Sequence, residues 1–292
     1  AAKVKTVADA KTQKQLLVAL QANFEAVNAD WILEYEEAIG ELDFEDEDNP
    51  VTVDNIQDEI YDANEEAIEE VEIESAADVA KVRALVVKWI KPDAEEETDK
   101  AGTIQELNVL EATYKIVEAK TANTVYTVLV NYDNVIADEE DDDQLKVSDL
   151  NANLKQFYYE IVKDTENDGA TPFEPDNDTP ADIKEDIVDE ANEVALKAAM
   201  VEIKTAYEAI NTAEGEEEGS TTAKQKSALK AALQKLADYT SHEREDEDKF
   251  DMSIVVDDNL VAYLAQFAEA TAIDETSDVT AVVEDVNTVN EG

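Results

Sequence analysis

Thr52-Val53-Asp54-Asn55-Ile56-Gln57-Asp58-Glu59-Ile60-Tyr61-Asp62-Ala63-Asn64-Glu65 is the stretch that decides the fold. Val53, Ile56, Ile60 and Ala63 recur every three or four positions, and the pattern continues into Ala67 and Ile68. That period marks one face of a helix, predicted to reach as far as Ile73. The stretch also recurs. Pro180-Ala-Asp-Ile183-Lys-Glu-Asp-Ile187-Val188-Asp-Glu-Ala191-Asn192-Glu193 resembles it, as does Asp278-Val279-Thr-Ala-Val282-Val283-Glu-Asp-Val286-Asn287 with its Asn290-Glu291 ending. Helices that cannot bury an apolar face alone stabilise one another by stacking, so the repetition points to consecutive helical modules.

Outward from this stretch the same periodicity continues. Thr12 to Phe24 places Leu16, Leu17, Leu20 and Phe24 on one face, and Trp31, Tyr35 and Ala38 or Ile39 do so in the next segment, with Asn28 or Asp30 as cap and Gly40 as stop. Ser75-Ala-Ala-Asp78 reads as a capping box variant opening Val79 to Ile90, which Lys91-Pro92 ends. Asp93 to Gly102 reads as a polar linker, and helices are predicted over Ile104–Ala119, Thr124–Ile136 and Ser148–Val162. Within them Val125-Tyr-Thr-Val-Leu-Val130 has strand propensity, although its length and neighbours favour helix. Asp164 to Pro180 is the clearest boundary. Beyond it come helices at Ala181–Ala213, Thr221–Tyr239, Asp257–Ala270 and Ser277–Val289, with Gly215–Ser220 and Ser241–Asp251 between them. The expected fold is all-α: about ten helices in consecutive antiparallel bundles, arranged lengthwise as modules 1–97, 98–170 and 171–292. The end, Val289-Asn290-Glu291-Gly292, falls inside a recurring motif, and a piece of a longer protein is expected.

Composition bounds the function. The 292 residues hold 74 Asp and Glu against 23 Lys and Arg, a formal charge of −51. Such self-repulsion weakens a compact fold unless salt or bound cations screen it. The hydrophobic fraction of 43% argues against disorder, and the 6 glycines and 5 prolines are too few for a turn-rich sandwich. The absence of cysteine removes disulfides and thiolate chemistry together. No stretch approaches a membrane span, and none reads as a secretory signal. The acidic field and the two arginines argue against binding nucleic acid. A mimic of nucleic acid would concentrate charge on one face, whereas acidic residues occur in every segment.

Carboxylate pairs are too common to mark a catalytic dyad, and they read as solvated helix faces. His242, within Ser-His-Glu-Arg-Glu-Asp-Glu-Asp, reads as an exposed loop residue. Trp31, Trp89 and Phe157-Tyr158-Tyr159 read as core. Phosphate loops, dinucleotide-binding glycine patterns and serine nucleophile elbows are all missing from the sequence. One calcium candidate stands out. Asp164, Glu166 and Asp168, followed by Gly169, occupy positions 1, 3, 5 and 6 of an EF-hand loop, but Pro175 stands where the bidentate Glu belongs. The runs Asp138–Asp143 and Glu45–Asp48 could collect Ca²⁺ or Mg²⁺ diffusely.

The segments Leu16-Leu17-Val18-Ala19-Leu20-Gln21, Val27-Asn28-Ala29-Asp30, Tyr35-Glu36-Glu37-Ala38-Ile39 and Val53 to Asn64 resemble helical repeat modules of surface-layer and other large cell-surface proteins of Gram-positive bacilli. The resemblance is best over the first ninety residues, partial over the last hundred, and one of style between them. Wall-binding and β-sandwich modules, usual in such proteins, are not visible here. The resemblance implies a secreted, extracellular protein at the cell surface or cell wall. Its role would be a non-catalytic spacer or assembly unit, with self-association or other cell-surface proteins as partners and no membrane insertion. The alternative is an acidic Ca²⁺-responsive binding module.

Overall fold

The computed structural model of the chain describes residues 2–91, 97–132, 134–136, 145–163, 180–208, 218–242, 249–270 and 273–291. Every regular element among them is helical. The packing groups the chain into two compact units, Ala1–Glu118 and Ala119–Gly292.

The first unit contains α1 (Ala2–Ala8), α2 (Gln13–Asn23), α3 (Ile32–Gly40), α4 (Val53–Glu69), α5 (Ala76–Trp89) and α6 (Glu97–Glu118). Polar caps start these helices. The Thr12 hydroxyl accepts the Gln15 N–H at 3.3 Å, and Thr52 and Asn55 satisfy each other's backbone in a reciprocal box. Ser75 accepts the Asp78 N–H and donates to its carboxylate at 2.6 Å. Helix α4 ends at Glu69, short of Ile73, because Glu66, Glu69 and Glu70 crowd a C-terminus whose dipole disfavours negative charge. It serves two cores. Ile56 and Ile60 pack with Val7, Leu16, Leu20, Phe24, Tyr35 and Ile39, whereas Ile68 packs with Val79, Val82, Val86, Leu107 and Tyr114. Each such aliphatic side chain contributes about 1.5–3 kcal/mol on burial.

Helix α6 begins at Glu97, inside the segment expected to be linker. Lys100 explains the early start: its Nζ donates to the carbonyls of Val87 and Ile90, each at 2.9 Å, tying the first turn of α6 to the end of α5.

The second unit contains α7 (Ala122–Tyr132), α8 (Lys155–Lys163), α9 (Pro180–Ile183), α10 (Glu190–Glu208), α11 (Glu218–Tyr239), α12 (Leu260–Glu269) and α13 (Thr276–Glu291). A π-helical turn, Lys184–Asp189, joins α9 to α10. Its core gathers Ile203, Leu229, Leu233, Leu236, Tyr263, Phe267, Val279 and Val283. The β-branched run at 125–130 is helical because Val125, Leu129 and Tyr132, at spacings of four and three, are all buried. The expected helix Ser148–Val162 is instead two 3-10 turns, Val147–Asp149 and Ala152–Leu154, followed by α8. Asn151 causes the break: its N–H goes to the Tyr158 hydroxyl, and its side-chain oxygen accepts the Asn153 N–H.

Candidate functional site

Among the described residues the most elaborate polar construction is a junction built around a tyrosine, and it occurs three times. In the first copy the Tyr35 hydroxyl accepts the Asn28 N–H at 2.9 Å and donates to Asn64 Oδ1 at 2.6 Å. Asn64 Nδ2 then donates to the carbonyls of Ala26 at 3.0 Å and Trp89 at 2.9 Å. One fully buried tyrosine thus ties the turn before α3 to α4, and the asparagine closes the C-terminus of α5. In the last copy Tyr263 accepts the Val256 N–H at 3.1 Å and pairs with Asn287 Oδ1, while Asn287 Nδ2 donates to Ile254 O at 2.8 Å. Ala26 and Ile254 both lie two residues before the N–H that the tyrosine accepts.

The middle copy keeps the tyrosine, with Tyr158 accepting the Asn151 N–H at 2.9 Å. Here Asn151 does the capping, its Nδ2 donating to the carbonyls of Asp238 and Tyr239 at the end of α11. Each tyrosine follows its N–H donor by seven residues. The sequence carries that signal in the pair Val27-Asn28-Ala29 with Tyr35 and Leu150-Asn151-Ala152 with Tyr158, which apolar periodicity alone does not pick out. Burial pushes the Tyr35 and Tyr158 hydroxyls up to about 12, against the opposing pull of the N–H each accepts.

The acidic groups are held by their own surroundings. Asp46 Oδ1 accepts the N–H groups of Asp48 and Asn49 at 2.8 and 3.0 Å, which holds that exposed carboxyl below its usual range. Burial pushes the Glu111 carboxyl up, but Lys115 and Arg83 outweigh it and hold it low. Lys115 Nζ lies 2.6 Å from one oxygen of Glu111, and Arg83 Nη1 lies 2.5 Å from the other. The same Arg83 nitrogen donates to Asn108 Oδ1 at 2.6 Å.

The calcium candidate Asp164, Glu166 and Asp168 lies outside the described residues, as does the run Asp138–Asp143. Among the described residues no group of three or more His, Asp or Glu is placed to hold a metal ion. His242 departs from the expected exposed position. It is half-buried, with Nδ1 3.2 Å from Asn151 Nδ2, because the Asn151 cap on α11 brings the following turn against it. Trp31 and Trp89 meet edge to face, their rings 5.9 Å apart, and each is half-buried. No helix among the described residues is long and apolar enough to cross a membrane.

Neither a protein-family model, nor a curated protein, nor a solved structure matches this chain. What the geometry defines is a class: an all-helical bundle protein with a repeated tyrosine junction.

Proposed function

We propose that this chain is a non-catalytic structural module of a secreted, acidic bacterial surface protein of the surface-layer kind, acting as a spacer or assembly unit. The observation that carries the reading is the tyrosine junction, built three times from residues at one spacing. In the first and last copies the tyrosine and asparagine satisfy each other, while Asn192 Oδ1 of the middle copy has no partner among the described residues. Reiteration of such a junction is what a structural repeat needs. A reactive site, by contrast, is normally assembled once and keeps groups available for substrate. The charge of −51 fits a protein that works where cations are plentiful, which screen its carboxylates and keep each bundle hydrated and compact.

Pulling single molecules from both termini tests this reading. A spacer built of compact helical units lengthens in discrete steps and recovers them on relaxation. A smooth extension without steps, or steps that never return, would contradict it.

A further inference from the structure

The cap on α11 differs from the other two junctions in one respect: a titratable ring lies against it. His242 is the chain's one histidine, and its Nδ1 lies 3.2 Å from Asn151 Nδ2. The asparagine cannot be turned around. Its Oδ1 accepts the Asn153 N–H at 2.9 Å, and its Nδ2 donates to Asp238 O at 2.8 Å and to Tyr239 O at 2.9 Å. Nδ2 is therefore the atom that meets the ring, and an amide nitrogen donates without accepting. An N–H on His242 Nδ1 would meet it with nothing there to receive the hydrogen. The arrangement fits the neutral ring with its hydrogen on Nε2. Imidazolium carries a hydrogen on both nitrogens and cannot keep this contact.

The charges nearby give a protonated ring a direction to move. Asp189, on the π turn, lies within electrostatic reach of His242. Lys184 and Glu185 of the same turn and Asp149 of the 3-10 turn Val147–Asp149 stand about that carboxyl. On α11 itself the Asp238 carboxylate accepts the Gln234 amide at 3.0 Å. Asp189, Glu185 and Asp149 against Lys184 favour a positive ring on the Asp189 side. The cap also holds its helix unevenly. Asp238 O accepts Asn153 Nδ2 at 3.0 Å and Ser241 Oγ at 2.9 Å as well, so the bond at Tyr239 O is the one that depends on Asn151.

We propose that His242 is a pH-operated latch on the α11 cap. Neutral, it lies against the Asn151 amide. Protonated, it sets an N–H against that amide, swings toward Asp189 and leaves Asn151 loosened from Tyr239 O, so that the last turn of α11 frays. The middle junction thus opens in mild acid, while the first and last, which have no histidine, stay closed.

Hydrogen exchange of the whole chain tests the latch, because two equivalent amides report on two caps. The Thr240 N–H bonds Leu236 O at 3.0 Å at the end of α11. The Ile90 N–H bonds Val86 O at 3.2 Å at the end of α5, which Asn64 caps without a histidine. Histidine changes charge between pH 5 and 8. After correction for intrinsic rates, exchange at residues 239–242 is expected to be at least tenfold faster at pH 5 than at pH 8, with Ile90 unchanged. His242→Gln, neutral throughout, should hold the slow rate at both pH values, and His242→Lys, charged throughout, the fast one. The His242 ring resonance and the Asn151 side-chain amide should move with one midpoint. Equal acceleration at Ile90 and Thr240 would make the effect a general one of titrating carboxylates and overturn the latch. So would an α11 end that is unchanged or better protected at pH 5, or an Asn151 amide that stays still while His242 titrates.

Discussion

The Tyr35 hydroxyl is both acceptor and donor inside a dry core, and either role can be removed by one atom. Tyr35→Phe leaves the Asn28 N–H and Asn64 Oδ1 without their partner and should cost about 1–3 kcal/mol, read as a lower denaturant midpoint at unchanged slope. Alkali attacks the same point. Tyr35 and Tyr158 ionise at about 12 in the folded chain against 10.0 when exposed, so the folded state binds their protons more tightly than the unfolded state. Their contribution is therefore complete below pH 10 and is lost as pH rises through 12. Absorbance titration of the 10 tyrosines should show a late class that ionises together with loss of helical signal. Ionisation of all ten with the helices intact would remove the junction's claim to importance. That Tyr35 faces inward was legible from its spacing to Trp31 and Ile39. Its hydroxyl partners were not, because Asn64 lies on another helix and hydrogen bonding across elements leaves no mark in apolar periodicity.

Helix α4 and its later relatives show how an element keeps its register. In α4, Ala63 and Asn64 follow Ile56 by seven and eight residues, and in α13 Val286 and Asn287 follow Val279 by the same intervals. The bond to Tyr263 therefore identifies Asn287, not Asn290, as the counterpart of Asn64. In the middle copy Ala191 and Asn192 follow Ile183 by eight and nine, one residue too many, and there the π turn Lys184–Asp189 stands. A π turn is the form in which a helix absorbs a single inserted residue. Deleting Asp189 should accordingly convert the turn to α-helix and change stability by less than about 1 kcal/mol, whereas deleting Asp62 from the regular α4 should rotate Asn64 off Tyr35 and melt the first unit. Thermal melts of the two deletions decide this, and equal damage from both would contradict it. Helix existence and faces were readable at most elements, even at Val125–Val130, whereas α1 (Ala2–Ala8) lay outside the helices read from the sequence. Element limits failed: the early start of α6, fixed by Lys100, and the break at Asn151, fixed by Tyr158, are set by tertiary bonds, and the end of α4 at Glu69 by the carboxylates of its own last turn.

At the scale of the whole molecule, apolar stripes and junctions work against the self-repulsion of 74 acidic residues. The sequence stated that conflict through its charge and hydrophobic fraction. If screening is what lets the bundles persist, the fold should respond to ionic strength, not to the identity of the cation. The decisive measurement is the melting midpoint followed by circular dichroism during titration with NaCl and with CaCl₂. The account predicts a smooth rise in both salts, continuing without saturation as the Debye length shrinks from about 30 Å at 0.01 M to about 3 Å at 1 M. A rise that saturates at a fixed number of Ca²⁺ per chain and that NaCl cannot reproduce would contradict it, and would make the protein a calcium-responsive module.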